Sequence, residues 1–245
     1  MRLSCLALVL TAMATIAAAQ ESPLVSLQTG DDSKGWNAVG RLNLGDRGFC
    51  TGTLIAPDLV LTAAHCLFDK ETGARIDARD IHFLAGLRNG RAEAYRDVAR
   101  AVAHPDYAYS GADDLDRTAF DVAVLELDQP IRLPSIQPIS TTSPPALGDE
   151  VGVVSYAQDR ADAPSLQQIC HVIDGSVKVL VLSCDVDFGS SGSPIFTVKN
   201  GVPQIVSVVS AKAESNGQKV SLGSALEAPL AEVMAEMAKE SRAVS

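Results

Sequence analysis

The stretch that decides the fold is Phe188-Gly189-Ser190-Ser191-Gly192-Ser193-Pro194-Ile195-Phe196, a serine cluster flanked by glycines. A serine hydroxyl becomes a useful nucleophile only beside a base and beside N–H donors that stabilise the oxyanion it creates. Because glycine lacks a Cβ, Gly189 can turn its N–H toward the same point as Ser191, and Gly192 would let a substrate approach. The alternative is an ordinary glycine- and serine-rich loop. The stretch therefore predicts Ser191 as a nucleophile, with the N–H groups of Gly189 and Ser191 as an oxyanion hole.

The order of the histidines narrows the architecture. An α/β-hydrolase needs the motif G-x-S-x-G and a histidine that follows the serine. Here position 193 is a serine, and every histidine precedes Ser191; they are His65, His82, His104 and His171. That architecture is excluded, and the order histidine, aspartate, serine remains.

Two earlier stretches supply a histidine and an aspartate in suitable surroundings. Residues 59–66 (LVLTAAHC) place His65 at the end of an apolar strand-like run, and residues 118–125 (TAFDVAVL) place Asp121 at the head of another. A carboxylate among so many apolar neighbours is costly unless it is paired, and a histidine N–H is a natural partner. His65 and Asp121 are therefore the candidate partners of Ser191.

Other titratable residues fit this role less well. Asp113, Asp114 and Asp116 lie in a polar loop rich in glycine and aspartate, where a carboxylate stays solvated. His82 and His171 fall within strand-like runs and are interpreted as ordinary strand residues.

The N-terminus has the three regions of a secretory signal: Arg2, an apolar run over residues 3–16, and the small residues 17–19. Cleavage after Ala19 would leave Gln20 as the first mature residue. The apolar run is shorter than the roughly 20 residues that a membrane-spanning helix needs. We expect export to the periplasm or the extracellular space, with no membrane attachment of the mature chain.

Four cysteines remain after the signal: Cys50, Cys66, Cys170 and Cys184. An even number in an exported protein favours disulfides. Of the three possible pairings, Cys50 with Cys66 and Cys170 with Cys184 is the simplest, and each bond would contribute roughly 3 kcal/mol. No C-x-x-C or H-x-x-x-H spacing indicates a zinc site. We expect no metal and no other cofactor.

The composition limits the size of the hydrophobic core and the kinds of partner that the protein can bind. The chain has 245 residues, 47% of them hydrophobic, which is enough for one large core or two barrel-sized cores. Its formal net charge is −10, and loss of Arg2 with the signal would make it more negative. A surface this acidic repels phosphate backbones, so nucleic acid is not an expected partner.

Short strand-like runs separated by turn residues fill both halves of the chain, a pattern typical of antiparallel barrels or sandwiches. In the first half they cover residues 38–44, 52–55, 59–63, 81–85, 98–103 and 122–127. In the second half they cover residues 150–156, 166–173, 177–183, 194–198, 203–210 and 220–225. Five prolines between residues 130 and 145 exclude a central strand or helix and predict a linker.

At the C-terminus, apolar residues recur at helical spacing over residues 229–239, which predicts a docking helix. The predicted organisation has five parts. They are a signal peptide (1–19), an N-terminal arm or propeptide (20–35), a first β-barrel with His65 and Asp121 (36–135), a second β-barrel with Ser191 (146–226) and a C-terminal helix (227–245).

Taken together, the motifs resemble those of the trypsin- and chymotrypsin-like serine peptidases, from about Trp36 to the C-terminal helix. Residues 62–66 (TAAHC) match the family's histidine motif, and residues 120–124 (FDVAV) look like its aspartate motif. Residues 104–107 (HPDY) and 205–207 (IVS) resemble a family signpost and the strand that binds the substrate backbone. The resemblance implies an all-β fold of two six-stranded antiparallel β-barrels with a C-terminal α-helix.

The resemblance also implies a mechanism. Ser191 would be the nucleophile, His65 the general base and then acid, and Asp121 the residue that fixes its tautomer, in a cleft between the barrels. The expected activity is serine endopeptidase, acting as a monomer on protein or peptide substrates. The alternative is a protease-fold protein that binds without cutting, although such proteins usually lose a member of the triad.

One departure points to a branch of the family. Where trypsins carry an aspartate before the nucleophile, this chain has Ser190, and the run G-S-S-G-S-P resembles the bacterial glutamyl endopeptidases. Ser190 has no charge to offer to a newly cut N-terminus. Activation by that ion pair is therefore not expected.

The candidate substrate-binding residues are Asp185, Ser207 and Val209. Asp185 stands six residues before Ser191, where trypsins carry the acid at the pocket floor, and it would favour lysine or arginine. A valine near residue 209 would narrow the pocket and favour small apolar residues. The nucleophile motif suggests glutamate instead, which conflicts with Asp185 because like charges repel in a poorly solvated site. The predicted order of preference is basic, small apolar, then glutamate.

Overall fold

The computed structural model describes residues 20–109, 115–215 and 217–244. The predicted signal segment and the alternative acids Asp113 and Asp114 lie outside these ranges, and the side chain of Asp116 is not described either. No helix within the described ranges is long and apolar enough to cross a membrane.

The first barrel is built from short strands whose residues are mostly buried. In the described residues, the first half of the chain forms β1 (Val25–Ser26), β2 (Val39–Leu44), β3 (Phe49–Ala56), β4 (Leu59–Thr62), β5 (Ile81–Ala85), β6 (Ala94–Ala103) and β7 (Ala123–Leu127). Strands β2 to β7 close into an antiparallel barrel in the order β2-β3-β4-β7-β6-β5. Alternate side chains point inward, and Leu42, Leu61, Phe83 and Leu125 are completely buried. Burial of each such side chain contributes about 2 kcal/mol.

The second barrel follows residue 149. Its strands are β8 (Glu150–Ala157), β9 (Arg160–Gly175), β10 (Val179–Leu182), β11 (Pro194–Lys199), β12 (Val202–Ser215) and β13 (Gln218–Ala225). They run in the order β8-β9-β10-β13-β12-β11, and the pairing of β11 with β8 closes the ring. Val153, Leu182 and Ile195 lie at its centre. The prediction of two six-stranded antiparallel barrels is confirmed.

The described segments that flank the two barrels each pack on the barrel farther along the chain from them. In the predicted N-terminal arm, β1 pairs with β9 of the second barrel. Ser22 extends this contact, since its N–H donates to the Ile169 carbonyl at 2.9 Å. The arm is held because Leu27 is buried and its backbone is paired, features that its polar composition concealed.

The C-terminal helix α2 (Glu227–Val244) packs on the first barrel, through the fully buried Val233 and the nearly buried Met237. Arg100 on β6 donates to the Met237 carbonyl at 2.9 Å. The predicted docking helix is confirmed and is longer than its apolar spacing indicated. A single helical turn, α1 (Leu115–Thr118), lies before β7.

Both predicted disulfides are present. Cys50 is bonded to Cys66, which ties β3 to the turn that carries His65. Cys170 is bonded to Cys184, which ties β9 to the segment before the serine turn. Each bond therefore fixes a segment next to the candidate site.

Candidate active site

His65 is placed by a short turn at the end of β4. The strand ends at Thr62, and the residues Ala64–Leu67 form one turn of 3-10 helix whose Ala64 and Leu67 are buried. Cys66 is anchored by its disulfide. The His65 side chain is 16% exposed, so it is held from behind and remains open to solvent on one side.

Asp121 lies behind His65 and receives three hydrogen bonds. Its Oδ2 atom is 2.7 Å from Nδ1 of His65, and its Oδ1 atom accepts the His65 backbone N–H at 2.8 Å. The hydroxyl of Ser210 donates to Oδ2 at 2.5 Å. The Asp121 side chain is only 3% exposed, so these donors replace the water that the carboxylate has lost.

Two opposing effects, burial and hydrogen bonding, set the pKa of the Asp121 carboxyl. Burial would raise the pKa of its carboxyl, but the His65 imidazole and the hydrogen bonds from His65 and Ser210 outweigh burial and lower the pKa. Asp121 is therefore ionised at neutral pH and can only accept hydrogen bonds. The proton of a neutral His65 ring must then sit on Nδ1, which leaves Nε2 as a base.

The serine turn contains a glycine, Gly189, at a position where a side chain would be strained and crowded. Gly189 has φ +96°, and a Cβ on it would lie 2.4 Å from a ring carbon of Phe49. In the described part of the chain, the N–H groups of Gly189 and Ser191 donate to no protein acceptor. Two unpaired donors near one serine hydroxyl are what an oxyanion hole requires.

Gly192 has a different role from the one predicted. A Cβ at this position would lie 2.1 Å from the hydroxyl of Thr62 and 2.4 Å from the carbonyl oxygen of Thr51. The residue is buried against the first barrel and does not line the cleft. Its missing side chain allows the two barrels to approach each other.

Thr51 and Ser190 hold the turn, and sequence reasoning missed both contacts. The N–H of Thr51 donates to the Ser191 carbonyl at 2.8 Å, and its hydroxyl donates to the Gly189 carbonyl at 3.0 Å. Ser190 is fully buried, and its hydroxyl donates to the Tyr156 carbonyl at 3.2 Å. The buried Ser190 side chain therefore has a hydrogen-bond partner and needs no ion pair at this position.

Ser191 and His65 line the same cleft, which has a volume of about 400 Å³. Within the described residues no hydrogen bond joins their side chains; in unliganded enzymes such bonds are often long and tighten when substrate binds. A larger cavity of about 750 Å³ lies elsewhere, between His104, Phe120 and α2. The smaller cleft is the candidate active site because both Ser191 and His65, the predicted nucleophile and base, line it.

The three predicted substrate-binding residues are placed differently. Asp185 is exposed and lines a neighbouring cavity with Glu21, not the cleft with Ser191. Ser207 is fully buried, and its hydroxyl donates to the Ser224 carbonyl at 2.7 Å. Val209 does line the cleft. Asp185 and Ser207 are therefore corrected: neither lines the cleft beside the nucleophile.

The strand that borders the cleft is the predicted one, with an offset of three residues. Ser210, not Ser207, contacts the aspartate, and Ala211 and Lys212 follow it along the cleft wall. In the pairing of β12 with β13, Val209 faces Gly223 and Ala211 faces Leu222, so Ser210 has no partner. This β-bulge turns the Ser210 hydroxyl toward Asp121.

The described walls of the cleft carry basic side chains: Lys70, Arg117 and Lys212. The Lys212 ammonium lies 2.7 Å from the Asp187 carboxylate and 3.7 Å from the centre of the Phe188 ring. The hydrogen bond from Lys212 lowers the pKa of Asp187. Phe188 is largely exposed and forms the rim of the cleft.

Among the described residues, two groups of side chains are close enough to suggest a metal site, and neither group offers a suitable set of ligands. Cys50 and Cys66 lie near His65, but their sulfurs form a disulfide. His104 lies near Asp106 and Glu232, yet its Nδ1 accepts the Asp106 N–H at 3.1 Å. The ring proton is then on Nε2, the atom that would have to bind the metal.

Comparison with known proteins agrees with this geometry. A family model described as a trypsin-like peptidase domain matches residues 50–202. Serine protease 23 of Mus musculus is 30% identical over 165 residues, which are 60% of this chain and 42% of that protein. The glutamyl endopeptidase of Bacillus licheniformis is 27% identical over 150 residues, which are 61% of this chain and 45% of that protein. The match thus spans less than half the length of these relatives.

A solved structure of a Glu endopeptidase in complex with MPD superposes with a TM-score of 0.72 at 20% identity. The superposition covers 88% of this chain and 96% of the other. At this identity the likeness establishes the fold.

Proposed function

The chain belongs to the trypsin-like peptidase family, and from that premise we propose that it is an exported serine endopeptidase. The proposed catalytic residues are His65, Asp121 and Ser191. One observation carries the proposal: the buried Asp121 carboxyl accepts two hydrogen bonds from His65, and the His65 ring lies in a cleft that Ser191 lines from the other barrel. The two disulfides support export, because such bonds persist in oxidising compartments.

The proposed reaction is acyl transfer in two steps. His65 Nε2 takes the Ser191 proton as the oxygen attacks the peptide carbonyl, and the N–H groups of Gly189 and Ser191 bind the resulting oxyanion. His65 then gives its proton to the leaving amine, and an acyl-enzyme forms. Water enters with His65 as the base, and the second half repeats the same transfers. Asp121 stabilises the imidazolium in both halves.

On the acyl side of the cut we propose a preference for acidic side chains, bound by Lys212. The preference for basic residues predicted from Asp185 loses its basis, since Asp185 lies outside the cleft. Lys212 lies inside it, and a relative bears the name glutamyl endopeptidase. Peptides that differ only by Glu, Lys or Ala before the cut test this preference. Faster cleavage of the Lys peptide would contradict it.

Labelling with a fluorophosphonate tests the nucleophile. The wild-type protein should be labelled once and should hydrolyse peptide esters, whereas Ser191→Ala should lose both properties. Ser193→Ala is the matched control, because Ser193 is in the same turn and is buried, and its hydroxyl has no hydrogen-bond partner in the described residues. Absence of labelling in the folded wild type would favour the non-catalytic binding role, and turnover by Ser191→Ala would reject the assignment.

A further inference from the structure

The described walls of the cleft carry basic side chains, although the protein as a whole is acidic. The chain has a formal net charge of −10, yet the described lining residues include Lys70 and Lys212, and among them the one carboxylate is that of Asp187. Concentrating cations at one place on an acidic surface draws in anionic groups and repels basic ones. The cleft is therefore suited to acidic peptide segments.

Lys70 and Lys212 reach the rim of the cleft from different barrels. Lys212 belongs to β12 of the second barrel, and Lys70 belongs to the loop after the His65 turn of the first barrel. Their ammonium groups lie 5.8 Å (Lys70) and 3.7 Å (Lys212) from the centre of the Phe188 ring. The two cations thus mark two positions along the path of a bound peptide.

The two lysines differ in what neutralises them. Lys212 is paired with Asp187 at 2.7 Å. Lys70 is exposed, and in the described part of the chain its ammonium has no carboxylate within salt-bridge distance. Its contact with the Phe188 ring is at the long end of the cation–π range, so a carboxylate could replace it at little cost.

The position of Lys70 relative to the cut is inferred from its neighbour His65. In the proposed reaction His65 gives its proton to the leaving amine, so the first residue after the cut begins beside the His65 ring. Lys70 follows His65 by five positions and shares its loop. Lys212 lies on the strand that carries Ser210, on the opposite wall.

We propose that Lys70 is a specificity-determining residue that binds an acidic side chain on the leaving-group side of the cut. This inference rests on the proposed endopeptidase activity and defines the substrate as a peptide with acidic residues on both sides of the scissile bond. The Lys70 ammonium pairs with a Glu or Asp carboxylate at the first or second position after the cut. The pair is exposed, so its contribution is modest and is screened by salt.

Paired fluorogenic peptides test the proposal. Each pair is identical except for Glu or Gln at the first, or at the second, position after the cut. In one of the two pairs, wild-type kcat/KM should be about threefold higher for the Glu peptide, and high salt should reduce that ratio. Lys70→Gln should bring the ratio to about 1, chiefly by lowering kcat/KM on the Glu peptide. Lys70→Glu should reverse the preference and favour a Lys peptide.

Lys239→Gln is the matched control, since Lys239 pairs with Glu236 on α2, away from the cleft; its Glu-to-Gln ratio should equal that of the wild type. The two levels of proposal fail in different ways. If the folded wild type hydrolyses no peptide, the endopeptidase proposal is wrong and the role of Lys70 falls with it. If it hydrolyses the peptides with a ratio of 1 in both pairs, or if Lys70→Gln retains the wild-type ratio, only the role of Lys70 is overturned.

Discussion

The hydroxyl of Thr51 donates a 3.0 Å hydrogen bond to the carbonyl oxygen of Gly189, and so joins a first-barrel strand to the turn that carries Ser191. The same hydroxyl accepts the N–H of Tyr156 at 3.1 Å. One buried side chain therefore fixes the orientation of Gly189 from the opposite barrel, because the peptide plane that carries its carbonyl is held.

Thr51→Val should lower both stability and activity. The change leaves the Gly189 carbonyl and the Tyr156 N–H without this partner, at a cost of about 2–4 kcal/mol in the free energy of unfolding. The loosened turn should reduce kcat about tenfold. Urea unfolding and peptide hydrolysis measure the two effects. Thr53→Val is the control, since the Thr53 hydroxyl is buried without a partner in the described residues, and that change should cost little.

Ser210→Ala should reduce kcat about tenfold. The lost hydrogen bond goes to an ionised carboxylate, which makes it stronger than a neutral one, and Asp121 retains two bonds from His65. Ser207→Ala gives the contrast: it removes a buried bond to the Ser224 carbonyl, so stability should fall by about 1 kcal/mol with kcat unchanged. A larger loss of kcat in Ser207→Ala than in Ser210→Ala would contradict the placement of the bulge.

Gly189→Ala should abolish most activity. The added Cβ meets the Phe49 ring and requires a strained backbone, which moves one donor of the oxyanion hole and should reduce kcat about 100-fold or more. Gly201→Ala is the control that introduces backbone strain without a steric contact. Gly201 has φ +78°, but a Cβ added there would meet no heavy atom within 4 Å, so stability should fall by about 1–2 kcal/mol while kcat stays the same.

Asp121→Asn tests the lowered pKa. A carboxyl whose pKa is lower in the folded than in the unfolded chain stabilises the fold above its ordinary value of 3.8, and that contribution is lost as pH falls through the folded value. The wild type should therefore exceed Asp121→Asn in stability by more at about pH 6 than at about pH 2.5. Urea midpoints at the two pH values measure it; an equal difference would mean that Asp121 is not ionised in the fold. Activity should fall by several orders of magnitude at neutral pH.

Much of the fold was predictable because its signals are local. The short strand-like runs between turn residues, the prolines of the linker and the helical spacing after Pro229 each reflect the geometry of one segment. His65 and Asp121 were detectable for a similar reason. A histidine at the end of an apolar strand and a carboxylate at the head of another are unusual enough to stand out.

Ser210, Thr51 and the position of Asp185 could not be predicted by the same reasoning. Ser210 faces Asp121 because it is the unpaired residue of a β-bulge between β12 and β13. The periodicity of a strand sequence does not reveal where a bulge occurs. The hydrogen bond from the Thr51 hydroxyl to the Gly189 carbonyl joins residues 138 positions apart in the chain. Asp185 was placed by counting back from Ser191, but the distance along the chain does not give the direction in which a loop side chain points.

The contacts that the N-terminal arm and the C-terminal helix make with the two barrels affect how cooperatively the protein unfolds. The arm before the first barrel is paired with β9, and the helix after the second barrel rests on β6 through Arg100. Unfolding of the second barrel would remove the partner strand of β1, and unfolding of the first barrel would remove the surface on which α2 packs. The stabilities of the two barrels are therefore coupled. We expect a single denaturation transition in which hydrolysis and strand structure disappear together, with no state in which one barrel survives alone.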